Sequence, residues 1–343
     1  MQNAMTIELP PGHILILNQH EVRKLLTMPE CMDAMAEALR SVARGQVILP
    51  LRPIMWLPEK FGALGMMPAH SAALGRLGVK VVSLFPNNHG TPYDAHQGTV
   101  MLFEAQHGRL MALMDATEIT AIRTAAVSGV ATRLLANPDA GDLAILGSGT
   151  QARTHLQAMA VARTLRRVRV WSRDTAHAQV FADRYAAAVQ IPIEVCATAQ
   201  QAVQNADLIC TTTSSREPVL LGDWLSAGVH INAAGSSVSH ARELDTAAVA
   251  ACSLFVDRRE STLNESGDFL MAKRDGAITD AHILGELGEL LLGTRSGRQS
   301  PGEITLFKSL GIAVEDLASA HFLFERAMEQ GEGRIVELGG GRD

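Results

Sequence analysis

The stretch from Asp142 to Ala152 limits what this chain can fold into more than any other. A short apolar run, 143–146, leads straight into Gly147-x-Gly149-x-x-Ala152, and an Ala-rich segment, 153–163, follows. That order predicts strand, tight turn, helix. Such a turn aims the free N–H groups of a helix N-terminus at an anion. Gly147 then permits the turn, Gly149 lets a pyrophosphate approach the backbone, and Ala152 keeps the helix close to its strand. Thr150 and Gln151 sit at the helix mouth. The competing reading is a purely structural glycine turn in some other α/β unit.

The downstream pattern favours the dinucleotide reading. Strands are expected at 167–172, 193–196, 207–213, 229–234 and 254–257, with helices at 175–188, 199–205 and 243–251. Repeated β/α units of this length predict a parallel, doubly wound sheet. Thr212 and Thr213, which end one strand, and Gly235, which follows another, join the glycine turn as candidate cofactor contacts. Upstream, 29–44 reads as an amphipathic helix with Met32, Met35 and Leu39 at helical spacing. From 48 to 104 the pattern is strands and turns, with 87–90 a loop. An apolar helix is expected at 118–135 and a closing helix at 311–328. The expected fold is therefore α/β: a Rossmann-type doubly wound parallel sheet, 126–309, inserted into an α+β domain made of 1–125 and 310–343.

Composition excludes several function classes. With 47% apolar and 19% charged residues the chain is an ordinary globular protein. Its net charge of -6 offers no basic surface for nucleic acid. No apolar run approaches the ~18 residues of a membrane span. The N-terminus lacks the basic and apolar regions of a signal peptide. Cys31, Cys196, Cys210 and Cys252 are scattered and form no CxxC, so they read as buried thiols in a reducing cytoplasm. The histidines show no HExxH spacing, and no metal is expected.

The second strand of a dinucleotide domain usually ends in an acid when the cofactor is NAD, because the carboxylate takes the ribose hydroxyls. Here it ends in Ser172-Arg173-Asp174. A hydroxyl and a guanidinium suit a 2′-phosphate, which an acid would repel. NADPH is the expected cofactor, with NADH tolerated. The plainer reading makes Arg173 a solvated turn residue and Asp174 a helix N-cap.

Three cations stand in apolar or turn-rich surroundings: Arg52, Lys80 and Arg123. A buried cation is costly unless an anion pairs with it. Together they suit a substrate carboxylate. Alternatively, each pairs with a carboxylate of the chain, such as Glu104, Asp115 or Glu118.

These stretches together resemble the ornithine cyclodeaminase/mu-crystallin family. The collinear matches include Leu51-Arg-Pro53, Gly65-Met-Met-Pro-Ala69, Val79-Lys-Val-Val82, His96-Gln-Gly-Thr-Val100, Ile119-Thr-Ala-Ile-Arg-Thr-Ala-Ala-Val127, Ile231-Asn-Ala-Ala-Gly235 and Phe307-Lys-Ser-Leu-Gly-Ile-Ala-Val-Glu-Asp316. The resemblance implies an NAD(P)-dependent enzyme of amino acids and their imines, typically a homodimer joined through its N-terminal domain. It implies that Arg52, Lys80 and Arg123 line the substrate site. Cyclodeaminases resemble this chain through 231–235 but then carry an Asp that handles the substrate amine, where this chain has Ser237. A hydroxyl without a base cannot take protons from an ammonium as a carboxylate can. The ketimine reductase branch carries Ser there.

The resemblance thus implies reduction of a preformed cyclic imine: Δ1-pyrroline-2-carboxylate to L-proline, or Δ1-piperideine-2-carboxylate to L-pipecolate. Arg52 and Arg123 would clamp the carboxylate, Lys80 would hold the carboxylate or the proton, and Ser237 and His96 would orient the imine nitrogen, a water or the cofactor. The alternatives are an ornithine cyclodeaminase or alanine dehydrogenase of the same family, or a non-catalytic NADPH-dependent ligand-binding protein.

Overall fold

The computed structural model describes residues 9–88 and 91–340. The chain divides into two compact units, one of residues 1–123 and 312–343, the other of residues 124–311.

The first unit is an antiparallel-rich sheet with helices. Strand β1 (His13–Leu17) leads into α1 (Gln19–Leu25). Asn18 caps that helix, accepting from His20 and Glu21 N–H, while Glu21 Oε2 accepts from Asn18 N–H at 2.8 Å. This reciprocal pair satisfies donors that the first turn leaves orphaned. Helix α2 (Met28–Ala43) has Pro29 in its first turn, where the missing N–H costs nothing. Its buried residues Cys31, Met32, Met35 and Leu39 lie on one face, as the sequence spacing predicts.

Then come β2 (Val47–Ile48), β3 (Ile54–Trp56), β4 (Ala63–Ser71), β5 (Arg76–Leu84), β6 (His96–Glu104) and β7 (Leu110–Asp115). The sheet order is final strand (Arg334–Glu337), β1, β7, β6, β5, β4, β2, with β3 also paired to β4. Strand β1, absent from the sequence expectation, runs parallel to β7. Within the expected loop at 87–90, Pro86–Asn88 form a short 3₁₀ turn; His89 and Gly90 lie outside the described residues.

Register gives this sheet two distinct faces. Lys80 pairs with Met67 of β4 and Val100 of β6. The closing helix (Ala313–Gln330) packs on Lys80's face, where Leu317 lies so close to Gly78 that a side-chain carbon there would meet it at 2.8 Å. The opposite face carries Leu64, Met66, Leu77, Val79, Met101 and Phe103, all half-buried or exposed.

Helix α3 (Ala116–Leu135) leads from the first unit into the sequence of the second. There follow β8 (Asp142–Leu146), α4 (Thr150–Ala162), β9 (Arg167–Trp171), α5 (Thr175–Val189), β10 (Ile193–Val195), α6 (Ala199–Val203), β11 (Leu208–Thr211), β12 (His230–Ala233), α7 (Thr246–Ala251), β13 (Ser253–Val256), β14 (Ile283–Glu286) and β15 (Thr305–Lys308). The sheet order is β10-β9-β8-β11-β12-β15-β13-β14, every pair parallel. The order reverses between β8 and β11, the position where doubly wound sheets open a crevice at their carboxyl ends.

The largest boundary shifts from the sequence reading are at two helix starts. Helix α4 starts at Thr150, directly on the glycine turn, rather than at 153. The helix expected at 243–251 starts only at Thr246, because Asp245 caps it through Ala248 N–H and Glu243 has another task. Strand β15, unrecognised in the sequence, inserts between β12 and β13. All four cysteines are buried and free.

Candidate active site

In the first unit, β5, α3 and the closing helix bring four ionised side chains together. Lys80 Nζ donates to Asp316 Oδ1 at 3.0 Å and to Thr120 Oγ1 at 3.2 Å. Arg123 donates from Nε to the same Asp316 Oδ1 at 3.0 Å and from Nη1 to Glu315 Oε2 at 2.7 Å. All four side chains are at most 5% exposed. Of the three cations singled out in the sequence, Lys80 and Arg123 join this cluster, and their anions are not the ones expected: Glu118 pairs instead with Arg23 at 2.8 Å, and Glu104 accepts backbone N–H groups of its own turn. The missed partners, Asp316 and Glu315, lie in a helical run, 313–320, whose other residues are apolar except for Ser319. Acids in such a run are the signal that mirrors the anomalous cations.

The electrostatics follow from burial. Burial pushes the Lys80 ammonium down to about 8, with Asp316 opposing the shift and the charges of Arg123 and Arg52 adding to it. Arg52, half-buried between β2 and β3, therefore acts on the same cluster. Burial also works against the Arg123 charge, but Asp316 and Glu315 outweigh it and hold the guanidinium above its ordinary value. Asp316 resists the upward push of burial because Arg123 and Lys80 flank it, and its carboxyl falls below the usual range.

His96, opposite Leu84 at the start of β6, lies on Lys80's face of the sheet. Desolvation, and then the Lys80 charge, hold its imidazole below the ordinary value. This assigns His96 to the unit of the cation cluster rather than to the unit of the glycine turn. Donors remain for a ligand: among the described residues, Arg123 Nη2 has no partner and Lys80 spends two of its three N–H groups.

In the second unit, the glycine turn is built as a phosphate cradle. Gly147 has φ +124°, and a side-chain carbon there would meet Thr212 Oγ1 at 2.7 Å and Thr212 O at 2.8 Å. Thr212 is held in place by donating to Leu146 O at 3.1 Å. Gly147 is thus required by the protein itself. Gly149 is different: a side-chain carbon would meet nothing within 4 Å. It is the N-cap of α4, and as a glycine it has no side chain to cap the first-turn N–H groups. An open approach to uncapped helix N–H groups is what a pyrophosphate needs, so the turn fits a dinucleotide. Gln151 and Ala152 follow in the first turn of α4, with Ala152 fully buried.

At the end of β9, Ser172 Oγ accepts from Ser148 Oγ at 3.1 Å, which ties the glycine turn to the second strand. Arg173 is exposed. Asp174 caps α5 through Ala176 N–H at 2.9 Å, as the plainer sequence reading had it.

Ser237 lies in the half-buried loop after β12, also in the second unit. A buried network that the sequence did not disclose organises the start of that loop. Glu243 accepts from Thr211 Oγ1 (2.7 Å), Thr213 N–H (2.6 Å), Thr213 Oγ1 (2.8 Å) and Gly235 N–H (2.8 Å). Burial raises the Glu243 carboxyl above its ordinary range, with Lys308 and Thr211 opposing. Lys308 Nζ donates to Ser236 O at 2.6 Å and pairs with Asp268 at 2.8 Å. Asp268 in turn accepts from Glu243 and Leu244 N–H. Thr213 and Gly235, expected to face the cofactor, thus spend these donors on Glu243.

The family model of the ornithine cyclodeaminase/mu-crystallin family matches residues 13–331. The chain belongs to that family. Within it, the chain is 40% identical to the ketimine reductase mu-crystallin of Mus musculus over 281 residues, 82% of this chain and 86% of the relative. It is 36% identical to a Delta(1)-pyrroline-2-carboxylate reductase of Bacillus cereus over 326 residues, 95% of this chain and 100% of the relative. Among solved structures, the Delta(1)-pyrroline-2-carboxylate reductase of Thermococcus litoralis, in complex with NADH and L-proline, superposes with a TM-score of 0.90 at 36% identity. That match covers 94% of this chain and 99% of the other.

Proposed function

We propose that the protein is a nicotinamide-dependent reductase of cyclic ketimines that carry a carboxylate on the imine carbon. The observation that carries this reading is the pair of buried cations, Lys80 and Arg123, that keep unspent donors after binding the chain's own carboxylates. Similarity to a ketimine reductase and to two Delta(1)-pyrroline-2-carboxylate reductases supports it. When bound, the nicotinamide supplies the hydride. The chain's residues do the rest. Arg123 offers Nη2, and Arg52 its charge, to the substrate carboxylate. Lys80, with its pKa pushed down to about 8, holds a proton it can release to the imine nitrogen near neutral pH. His96, on the Lys80 face of the sheet, orients the nitrogen or a water. Ser237, where cyclodeaminases carry an acid, offers no base to an amine substrate.

The finer cofactor assignment is NADPH over NADH. Arg173 is exposed at the end of β9, no acid stands at 172, and Asp174 is occupied as a cap. The dissociation constants of the two cofactors test this; tighter NADH binding would overturn it.

The protein also works as a homodimer in this reading, with the uncovered sheet face of the first unit against a second copy. On that face Leu64, Met66, Leu77, Val79, Met101 and Phe103 span three strands, with Met66 39% and Leu77 37% exposed. Exposed apolar side chains grouped in this way support an interface.

The decisive assay mixes purified protein and NADPH with Δ1-pyrroline-2-carboxylate or Δ1-piperideine-2-carboxylate and follows nicotinamide absorbance. Oxidation with either imine is expected, and no turnover with pyruvate plus ammonia or with ornithine plus NAD. No oxidation with either imine would favour a binding protein instead.

A further inference from the structure

We propose that Asp316 is a positioning residue, which fixes the Lys80 ammonium and the Arg123 guanidinium as one acid-binding unit through a single shared carboxylate. The proposal rests on the reductase reading for its functional meaning and on geometry for its substance. One oxygen, Asp316 Oδ1, accepts from both Lys80 Nζ and Arg123 Nε at 3.0 Å. Its partner oxygen, Oδ2, lies 2.9 Å from Lys80 Nζ. The three residues come from β5, α3 and the first turn of the closing helix, so Asp316 ties three elements together at one carboxylate. Glu315, its neighbour, takes Arg123 through Nη1.

The consequence is chemical as well as geometric. Burial drives the Lys80 ammonium towards neutrality, and Asp316 is the group that resists. The other groups facing Lys80 do not replace it. Arg123 and Arg52 add positive charge, and the His96 imidazole is held below its ordinary value. The Cys31 thiol, on α2 near Arg123 and Glu315, is pushed up to about 12 by burial and stays neutral. Without the Asp316 charge, Lys80 loses its proton at lower pH and cannot serve as acid or as a cation at neutral pH.

The experiment compares wild type with Asp316→Asn, Asp316→Glu and Glu315→Gln. Lys80 is titrated directly by NMR of protein labelled at lysine Cε, its resonance assigned with Lys80→Arg. Imine reduction is measured from pH 6 to 10 (a range of about four pH units around the expected midpoint). In Asp316→Asn the Lys80 midpoint falls by about one pH unit or more, a tenfold change in proton affinity, and the alkaline limb of kcat/KM moves with it. Glu315→Gln raises KM and leaves the midpoint in place. If Asp316→Asn does not fold, Asp316→Glu decides: its displaced carboxylate raises KM for the imine at least about tenfold, the worth of one charge-assisted hydrogen bond. An unmoved midpoint in Asp316→Asn, or wild-type KM and midpoint in Asp316→Glu, would overturn the proposal. The titration needs no substrate. A moved midpoint without imine turnover therefore keeps the role of Asp316 and removes the reductase reading, and turnover with an unmoved midpoint does the reverse.

Discussion

In the proposed site Lys80 and Arg123 each have two duties, and substitutions must separate them. Removing one member of a buried ion cluster strands its partner at a cost of about 3–5 kcal/mol, so Arg123→Ala leaves Asp316 and Glu315 without their guanidinium and lowers Tm as well as activity. Arg123→Lys keeps the charge but cannot reach both carboxylates and a ligand at once. It is expected to raise KM for the imine by about tenfold to a hundredfold, the range for a lost charge-assisted hydrogen bond, while losing less stability than Arg123→Ala. Thermal melts beside steady-state kinetics check this. The Lys80 shift gives a pH dependence of definite sign. In the proposed mechanism the protonated ammonium is the active form, so kcat/KM should be flat below about 8 and fall above it; a rise through that range would remove Lys80 as the acid. The cations were legible in the sequence because burial makes a charge anomalous among apolar neighbours. Their partners were not, because Asp316 is 236 positions from Lys80 and 193 from Arg123, and no local pattern spans such a gap.

At the level of elements, the two glycines of the turn make opposite demands. Gly147→Ala forces a side chain into a positive-φ position and against Thr212, so it should destabilise the second unit by about 1–3 kcal/mol. Gly149→Ala meets no protein atom, so the fold should tolerate it while the dissociation constant for NADPH rises. Melting curves with and without NADPH separate the two cases; equal loss of stability in both variants would refute the distinction. The turn and most β/α units were readable because apolar runs, glycines and caps act over a few residues. Strand β15 was not, because its Thr305–Lys308 segment ends in a lysine that reads as exposed until Asp268 and Ser236 O are seen to hold it. Glu243 was misread as helical for a similar reason: its four donors come from the end of β11 and from residues just past β11 and β12, which sequence spacing does not connect.

For the whole molecule, the open face of the first sheet bears most directly on assembly. Met66→Glu or Val79→Asp places a charge on that face without touching the cation cluster on the other side. Either variant is expected to convert a dimer to a monomer in light scattering; a wild-type monomer would remove the proposed interface.

The closing helix has a further consequence, for the order in which the chain becomes whole. Asp316 and Glu315 are made only after all of residues 124–311. A nascent chain therefore carries β5 and α3 with their cations for most of synthesis before the matching anions exist. Contacts of such long sequence separation form late, because a large loop must close before they reward it. The first unit can mature only after release of its last helix, and its sheet depends until then on staying solvated or sheltered.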